Sequence, residues 1–300
     1  MTSIVVGSFT PSVLLDVARE TGRLAQRDLE VAEVPVTSSP AQFRSLLDGE
    51  LDVGLTNPDN VLAYRFNPGN PLGRLVDARI VAAIDRGMGL GLYGRPGTSA
   101  GDLVGARVGV DVATSGFALA LYALAESIGV AREDYELVAL GSTPRRLEAL
   151  LAGDCAATML NAGNELIAEQ HGCVRLASAA ELLSPYLGTV VAVVGAAHLE
   201  VAEQLSAALL ETAREIAEGR LDEETSGSAK RRLDLDDTLA MQYLARLRDP
   251  RDGLVPDGVV DRAALETLVR LRTRYLPTPG PEGGDLLDSA LDEDSGLVHR

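Results

Sequence analysis

The chain has 300 residues, of which 46% are hydrophobic and 24% are charged, and its formal net charge is −17. This length and hydrophobic content predict one large or two smaller folded domains and exclude a disordered chain. The negative charge and the absence of tryptophan argue against a nucleic-acid-binding face, so we expect no nucleic acid partner. No hydrophobic run reaches the length needed to span a bilayer.

The N-terminal part of the chain predicts an α/β unit of five elements. The apolar run Ile4–Gly7 is typical of a buried strand, and an amphipathic helix follows over 12–21. A second strand is predicted over 29–36. A serine-proline pair then starts a helix over 39–49, which stops at a glycine. A short strand over 53–55 ends the unit.

The same order of elements returns in the second part of the chain. Leu150 aligns with Leu46 and Asn164 with Asn60, a constant offset of 104 residues. Such a period is too long for a solenoid and predicts two similar lobes. The elements of the second unit are a strand over 108–110, a helix over 115–128, a strand over 135–140, a helix over 143–153 and a strand over 157–160.

Alternating strands and helices predict an α/β fold with parallel-rich sheets flanked by helices. Two β-rich runs, 80–93 and 186–194, link the units and predict two hinge crossings. We therefore expect a discontinuous lobe one, residues 1–86 and 190–276, and a lobe two, residues 87–189. Residues 277–300 are rich in proline, glycine and acidic residues, and we expect them to form a disordered acidic tail.

Candidate ligand-binding residues lie in the loops at the carboxyl ends of the predicted strands, where α/β sheets bind ligands. Thr114-Ser115-Gly116 begins a helix whose free N–H groups suit an anion, although every helix start needs a cap. Asn57 and Asn161 end equivalent strands and either bond a ligand or cap a turn. The candidates are Ser8, Phe9, Thr10, Ser38, Ser39, Thr56, Asn57, Asp59, Arg86, Asp111, Thr114, Ser115, Gly116, Ser142, Thr143 and Asn161.

Two of these candidates have a structural alternative that the sequence leaves open. Arg86 either holds an anion with two parallel hydrogen bonds or forms an Asp85–Arg86 pair that fixes the hinge. Phe9 either stacks on a planar ligand or forms an apolar wall. The two cysteines and three histidines lack the spacing of metal ligands, so we expect neither a metal nor a cofactor.

Two stretches, Ser38–Tyr64 and Gly105–Leu119, resemble type II periplasmic substrate-binding proteins of the branch that binds sulfonates, nitrate and thiamine precursors. The resemblance extends over roughly residues 3–275. It implies a two-lobed periplasmic-binding-protein type II architecture that closes by hinge bending on a small anionic or polar molecule. It also implies an ABC importer permease as a partner.

A cytosolic enzyme on the same scaffold, lyase- or decarboxylase-like or biosynthetic, is the alternative function. It needs an acid or base, and Tyr64, Asp59, Asp85 and Asp111 are the candidates near the cleft, without an evident partner. We therefore favour binding over catalysis, in a monomer or weak oligomer. The N-terminus lacks leader features and predicts a cytoplasmic protein, whereas an omitted upstream leader would place it at the extracellular face of the membrane.

Overall fold

The computed structural model describes residues 1–278, 285–292, 295 and 297, and its strands form two five-stranded sheets. The first sheet has the order β2-β1-β3-β10-β4 and contains β1 (Thr2–Ser8), β2 (Leu29–Pro35), β3 (Val53–Thr56), β4 (Ala78–Asp85) and β10 (Thr189–Val194). The second has the order β7-β6-β8-β5-β9 and contains β5 (Gly91–Gly94), β6 (Arg107–Val110), β7 (Glu136–Ala139), β8 (Ala157–Leu160) and β9 (Val174–Ser178).

The two sheets have the same pairing pattern. In the first sheet β1 is parallel to β2 and β3, while β10 runs antiparallel between β3 and β4. In the second sheet β6 is parallel to β7 and β8, while β5 runs antiparallel between β8 and β9. The duplicated sequence therefore folds into duplicated sheets, which confirms the predicted two-lobed α/β class.

Helices flank both sheets, and several begin and end where the sequence predicts. Ser12 and Ser115 cap two helix starts, because each Oγ accepts a main-chain N–H three residues ahead. The helices are α1 (Val13–Glu20), α2 (Ser39–Asp48), α3 (Pro58–Phe66), α4 (Gly116–Ser127), α5 (Thr143–Ala152), α6 (Asn164–Gln170), α7 (Ala179–Leu182), α8 (Leu199–Ala217), α9 (Asp222–Leu233), α10 (Asp237–Arg248) and α11 (Arg262–Tyr275).

Helix α3 follows the third strand of the first unit and is missing from the elements predicted by periodicity. Its residues Pro58–Tyr64 are all buried, so it has no polar face that alternates with an apolar one. Helix α6 occupies the equivalent place after β8. Together they place the starts of two further helices beside the carboxyl ends of β3 and β8.

From its place in the sequence we expected helix α11 to belong to lobe one. The structure shows that both lobes share it. It packs on α3 of lobe one and on α4 of lobe two. At its end, the Tyr275 ring contacts the Tyr122 ring of α4 edge-on, with the centroids 5.5 Å apart, and the Tyr275 hydroxyl donates to Glu126. Because α11 buries side chains against both lobes, we propose the predicted lobe boundaries for the rest of the chain and treat α11 as shared.

The expected tail is only partly described, since residues 279–284, 293, 294, 296 and 298–300 lie outside the described residues. Within it, Leu286–Leu291 forms a 3₁₀ helix that packs against α11 and α3. The expected disorder is not seen in this segment. The tail as a whole is rich in proline, glycine and acidic residues, but this segment reads Leu-Leu-Asp-Ser-Ala-Leu, and its Leu287 and Ala290 join the core together with Leu297.

Candidate functional site

A cavity of about 110 Å³ lies between the lobes, bordered by the loops that follow β1, β3, β6 and β8. The carboxyl ends of equivalent strands in the two sheets thus face one another, as expected for a ligand cleft. Ten of the residues predicted from the sequence line this cavity: Ser8, Phe9, Thr10, Thr56, Asn57, Asp111, Ser115, Gly116, Thr143 and Asn161.

Three predicted residues have other roles in the structure. Arg86 donates from Nη1 to the carbonyl oxygen of Leu254, 2.7 Å away, and does not line the cavity. No ion pair joins Arg86 to Asp85, whose Oδ1 accepts the N–H of Gly87 at 2.9 Å. Ser38 and Ser142 occupy the N-cap positions of α2 and α5. Helix starts need such residues whether or not a ligand is present.

The remaining three lie next to the cleft without lining it. Asp59 forms a buried ion pair with Arg272. Ser39 and Thr114 border a second cavity of about 360 Å³ beside Tyr64, behind the start of α3. A carboxylate committed to Arg272 is not available to a ligand, so Asp59 is removed from the candidate binding residues.

Arg146 of α5 is a cavity residue that the sequence analysis missed. Its side chain is 2% exposed, although it borders the cavity, and burial lowers the pKa of its guanidinium. Its hydrogen bonds go to uncharged oxygen atoms: Nε to Met159 O, Nη1 to Gly141 O and Nη2 to Thr143 Oγ1. A guanidinium with five N–H bonds keeps donors for a further acceptor in this arrangement.

Lobe two also contributes the start of α4 to the cavity. Ser115 caps this helix and donates its hydroxyl hydrogen to Asp111 Oδ1. The N–H groups of the first turn and the helix dipole there favour a negatively charged ligand group. Burial raises the pKa of Asp111. It also raises the pKa of Asp85, which borders the cavity, to about 6. Both carboxyl groups therefore oppose an anion less strongly as the pH falls.

The two predicted asparagines hold the hinge crossings. Asn57 of lobe one donates to the carbonyl oxygen of Gly188 in the second crossing, at 3.0 Å. Asn161 of lobe two donates to the carbonyl oxygen of Gly87 in the first crossing, at 3.2 Å. Each asparagine thus connects the end of a third strand to a crossing, and both side chains also border the cavity. Their contribution to ligand binding stays a prediction.

Lobe one contributes an apolar wall. Seven of its cavity residues and Met88 of the first crossing belong to one hydrophobic core, which joins the first sheet to helices α1, α8, α9 and α10. The seven residues of lobe one are Val13, Leu14, Leu55, Ile84, Tyr243, Leu247 and Leu254. The cleft therefore has a polar, cationic side formed by lobe two and an apolar side formed by lobe one.

The family of periplasmic substrate-binding proteins of phosphonate ABC transporters matches residues 17–231 of this chain. The chain belongs to this family. The family implies a small-molecule ligand and an ABC importer as partner, which confirms the resemblance and the binding function inferred from the sequence. The comparisons give no support to the cytosolic enzyme. The search of curated proteins returned no match.

Solved structures show the same fold at low sequence identity. A Bordetella bronchiseptica protein has a TM-score of 0.76 and 16% identity, covering 95% of this chain and 93% of its own. An ABC-import ligand-binding component from Staphylococcus aureus has a TM-score of 0.72 and 12% identity, covering 92% of each chain. The alkanesulfonate-binding protein of Xanthomonas axonopodis has a TM-score of 0.68 and 17% identity, covering 93% and 95%.

The described residues were also searched for a metal site and for a membrane-spanning helix. They include no group of three or more histidine, cysteine and acidic side chains arranged to hold a metal ion. No helix formed by these residues is long and apolar enough to cross a membrane.

Proposed function

We propose that this family member binds a small organic anion by closing its two lobes over the ligand. The anionic group lies against lobe two, where Arg146, Thr143 and the start of α4 supply donors. The organic part lies against the apolar wall of lobe one.

Arg146 is the observation that carries this proposal. A buried guanidinium costs free energy unless a negative charge or several hydrogen bonds offset its loss of hydration. Three uncharged oxygens accept from Arg146 at 2.6 to 3.2 Å, and the nearby Asp111 shares its own carboxylate with Ser115. A ligand anion in the cavity would complete the compensation.

We propose the further roles of Ser8, Thr10 and Thr56 as hydrogen-bonding groups on the lobe-one rim, and of Phe9 as part of the apolar wall. Each borders the cavity.

We also propose that the protein acts outside the cytoplasmic membrane, since its family is periplasmic, and that it delivers the ligand to the permease of an ABC importer.

Isothermal titration calorimetry of the native protein tests the ligand class. Ethylphosphonate and ethanesulfonate represent organic anions, propionamide represents a neutral compound of similar size, and inorganic phosphate represents an anion without an apolar part. We expect at least one organic anion to bind, and to bind tighter by about four-fold for each added methylene until the apolar side is filled. Equal binding of propionamide, or no binding by any organic anion, would contradict the proposal.

A further inference from the structure

One guanidinium joins the first turns of two helices beside the cleft. Arg272 of α11 is 2% exposed and forms a bidentate ion pair with Asp59, which is 1% exposed. Its Nη2 also donates to the carbonyl oxygen of Thr114, 2.9 Å away. Asp59 lies in the first turn of α3 in lobe one, whereas Thr114 directly precedes the N-cap of α4 in lobe two. The contact therefore links the lobes where both helices begin.

Both helix starts face the ligand cavity. Asn57, the N-cap of α3, and Ser115, the N-cap of α4, border it. Gly116 lies so close to the first turn of α3 that a Cβ atom on it would stand 2.8 Å from Asp59 Cβ. The start of α4 is thus fixed against lobe one by close packing and by the hydrogen bond from Arg272.

The charge state of Arg272 suits this role. Burial disfavours the charged guanidinium, but the Asp59 carboxylate outweighs this effect, and the pKa of Arg272 is raised. A bidentate arginine–carboxylate pair holds the guanidinium plane in one orientation. The hydrogen bond to Thr114 therefore has a defined direction relative to α3, which a lysine at this position would not reproduce.

We propose that Arg272 is a positioning residue for the ligand: by holding the Thr114 carbonyl against Asp59, it aims the first-turn N–H groups of α4 into the cleft. This role rests on the proposed binding of an organic anion at that helix start. Arg272 acts without touching the ligand, because it does not line the ligand cavity.

The same helix offers a matched control. Arg274 is two residues further along α11 and pairs with Glu126 near the far end of α4, with 66% of its side chain exposed. It too links α11 to α4, but away from the cleft. Replacing Arg274 with glutamine removes an arginine–carboxylate pair from this interface without disturbing the start of α4.

Amide hydrogen exchange combined with calorimetry tests the proposal. In R272M we expect the amides of Ala118 and Leu119, which bond to Ser115, to exchange at least about ten-fold faster. Those of Leu15 and Asp16, at the equivalent start of α1, should exchange at the native rate. Affinity for ethylphosphonate should fall at least about ten-fold in R272M and partly recover in R272K, whereas R274Q should match the native protein.

Unchanged exchange at Ala118 and Leu119, or an unchanged affinity in a folded R272M, overturns the proposal. Equal acceleration at Leu15 and Asp16 also overturns it, because Arg272 would then only stabilise the fold. If R272M does not fold, D59N answers the same question, since it keeps the shape of the side chain and removes the charge that orients Arg272. Failure of the native protein to bind ethylphosphonate would count against the proposed function, while the exchange rates still test Arg272.

Discussion

Gln42 in lobe one and Arg146 in lobe two occupy the same place in the sequence repeat and bond to equivalent strands. Gln42 donates to the carbonyl oxygen of Leu55, and Arg146 donates to that of Met159, each at 3.2 Å. The neutral amide is 0% exposed, whereas the guanidinium borders the cavity. The duplicated scaffold therefore preserves the bond that fixes the helix to the sheet. In lobe two a single side chain also places a charge beside the cavity, where we propose that it binds the ligand.

A second pair of equivalent positions also has an uncharged residue in lobe one and an ionisable residue in lobe two. Val61 in lobe one and Glu165 in lobe two are both 0% exposed. Burial raises the pKa of Glu165 to about 8, although Arg246 of lobe one lies 3.9 Å away and favours its ionised form. At both pairs of equivalent positions, lobe one therefore has an uncharged side chain where lobe two has a buried ionisable one.

Of these changes, removing the charge of Arg146 should reduce ligand affinity the most. The variant R146Q makes lobe two resemble lobe one at this position, and we expect affinity for ethylphosphonate to fall by about 100-fold or more, because a buried anion would lose its cationic partner. Calorimetry measures this. The exposed neighbour gives the control R145Q, which should bind like the native protein. If R146Q lowered the affinity for ethylphosphonate by less than about three-fold, this would contradict the proposal that the anionic group binds to Arg146 in lobe two.

Gly116 tests the close approach of the lobes. The first helical residue of the equivalent helix α1 is Val13, which packs in the core, but a Cβ at Gly116 would press on Asp59. G116A should reduce affinity about ten-fold, because the start of α4 can no longer rest on α3. In the control G101A the new Cβ meets only Ser99 Oγ at 3.9 Å. Equal affinities in the two variants would show that the contact is not needed.

The two N-cap serines separate binding from folding. Ser38 caps α2 outside the cavity, and Ser115 caps α4 at its edge. S38A and S115A should each lower the free energy of unfolding by about 1 kcal/mol, measured by urea denaturation. Only S115A should also weaken binding of ethylphosphonate, by about five-fold. Weaker binding in S38A would argue that general loss of stability, rather than the position of Ser115, governs affinity.

Glu165 makes stability depend on pH in lobe two. Its pKa is raised in the folded protein, so the folded state holds the proton more tightly than the unfolded chain. The associated stability is fully present below the ordinary pKa of a glutamate and is lost as the pH rises through about 8. Relative to the native protein, E165Q should therefore gain in Tm between pH 6 and pH 9. A difference in Tm between the native protein and E165Q that stays constant with pH would contradict this expectation.

The repeat in the sequence was sufficient to predict the two sheets and the helix ends. Gly49 and Gly153 end α2 and α5 with φ of 74° and 85°, the left-handed conformation that glycine adopts readily. These features are local, so residue spacing reveals them. The paired cavity positions of Asn57 and Asn161 followed from the same alignment, because equivalent strands end at equivalent places.

The missed features depend on contacts between distant parts of the chain. Arg146 follows exposed Arg145 on an amphipathic helix, so both look like solvated charges, and only the alignment with Gln42 could have singled Arg146 out as buried. Helix α3 is buried on all sides and lacks the periodicity of a surface helix. The pairing of Arg272 with Asp59 spans 213 residues, and nothing in the local sequence around either residue indicates it.

A crystal structure with 2-bromoethanesulfonate tests the central claim most directly, because the bromine can be located by its anomalous scattering. We expect closed lobes, with the sulfonate oxygens within hydrogen-bonding distance of Arg146 or the first-turn N–H groups of α4, and the bromine against the apolar wall near Met88 and Tyr243. A sulfonate bound to lobe one with the bromine directed at Arg146, or a ligand bound outside this cavity, would contradict it.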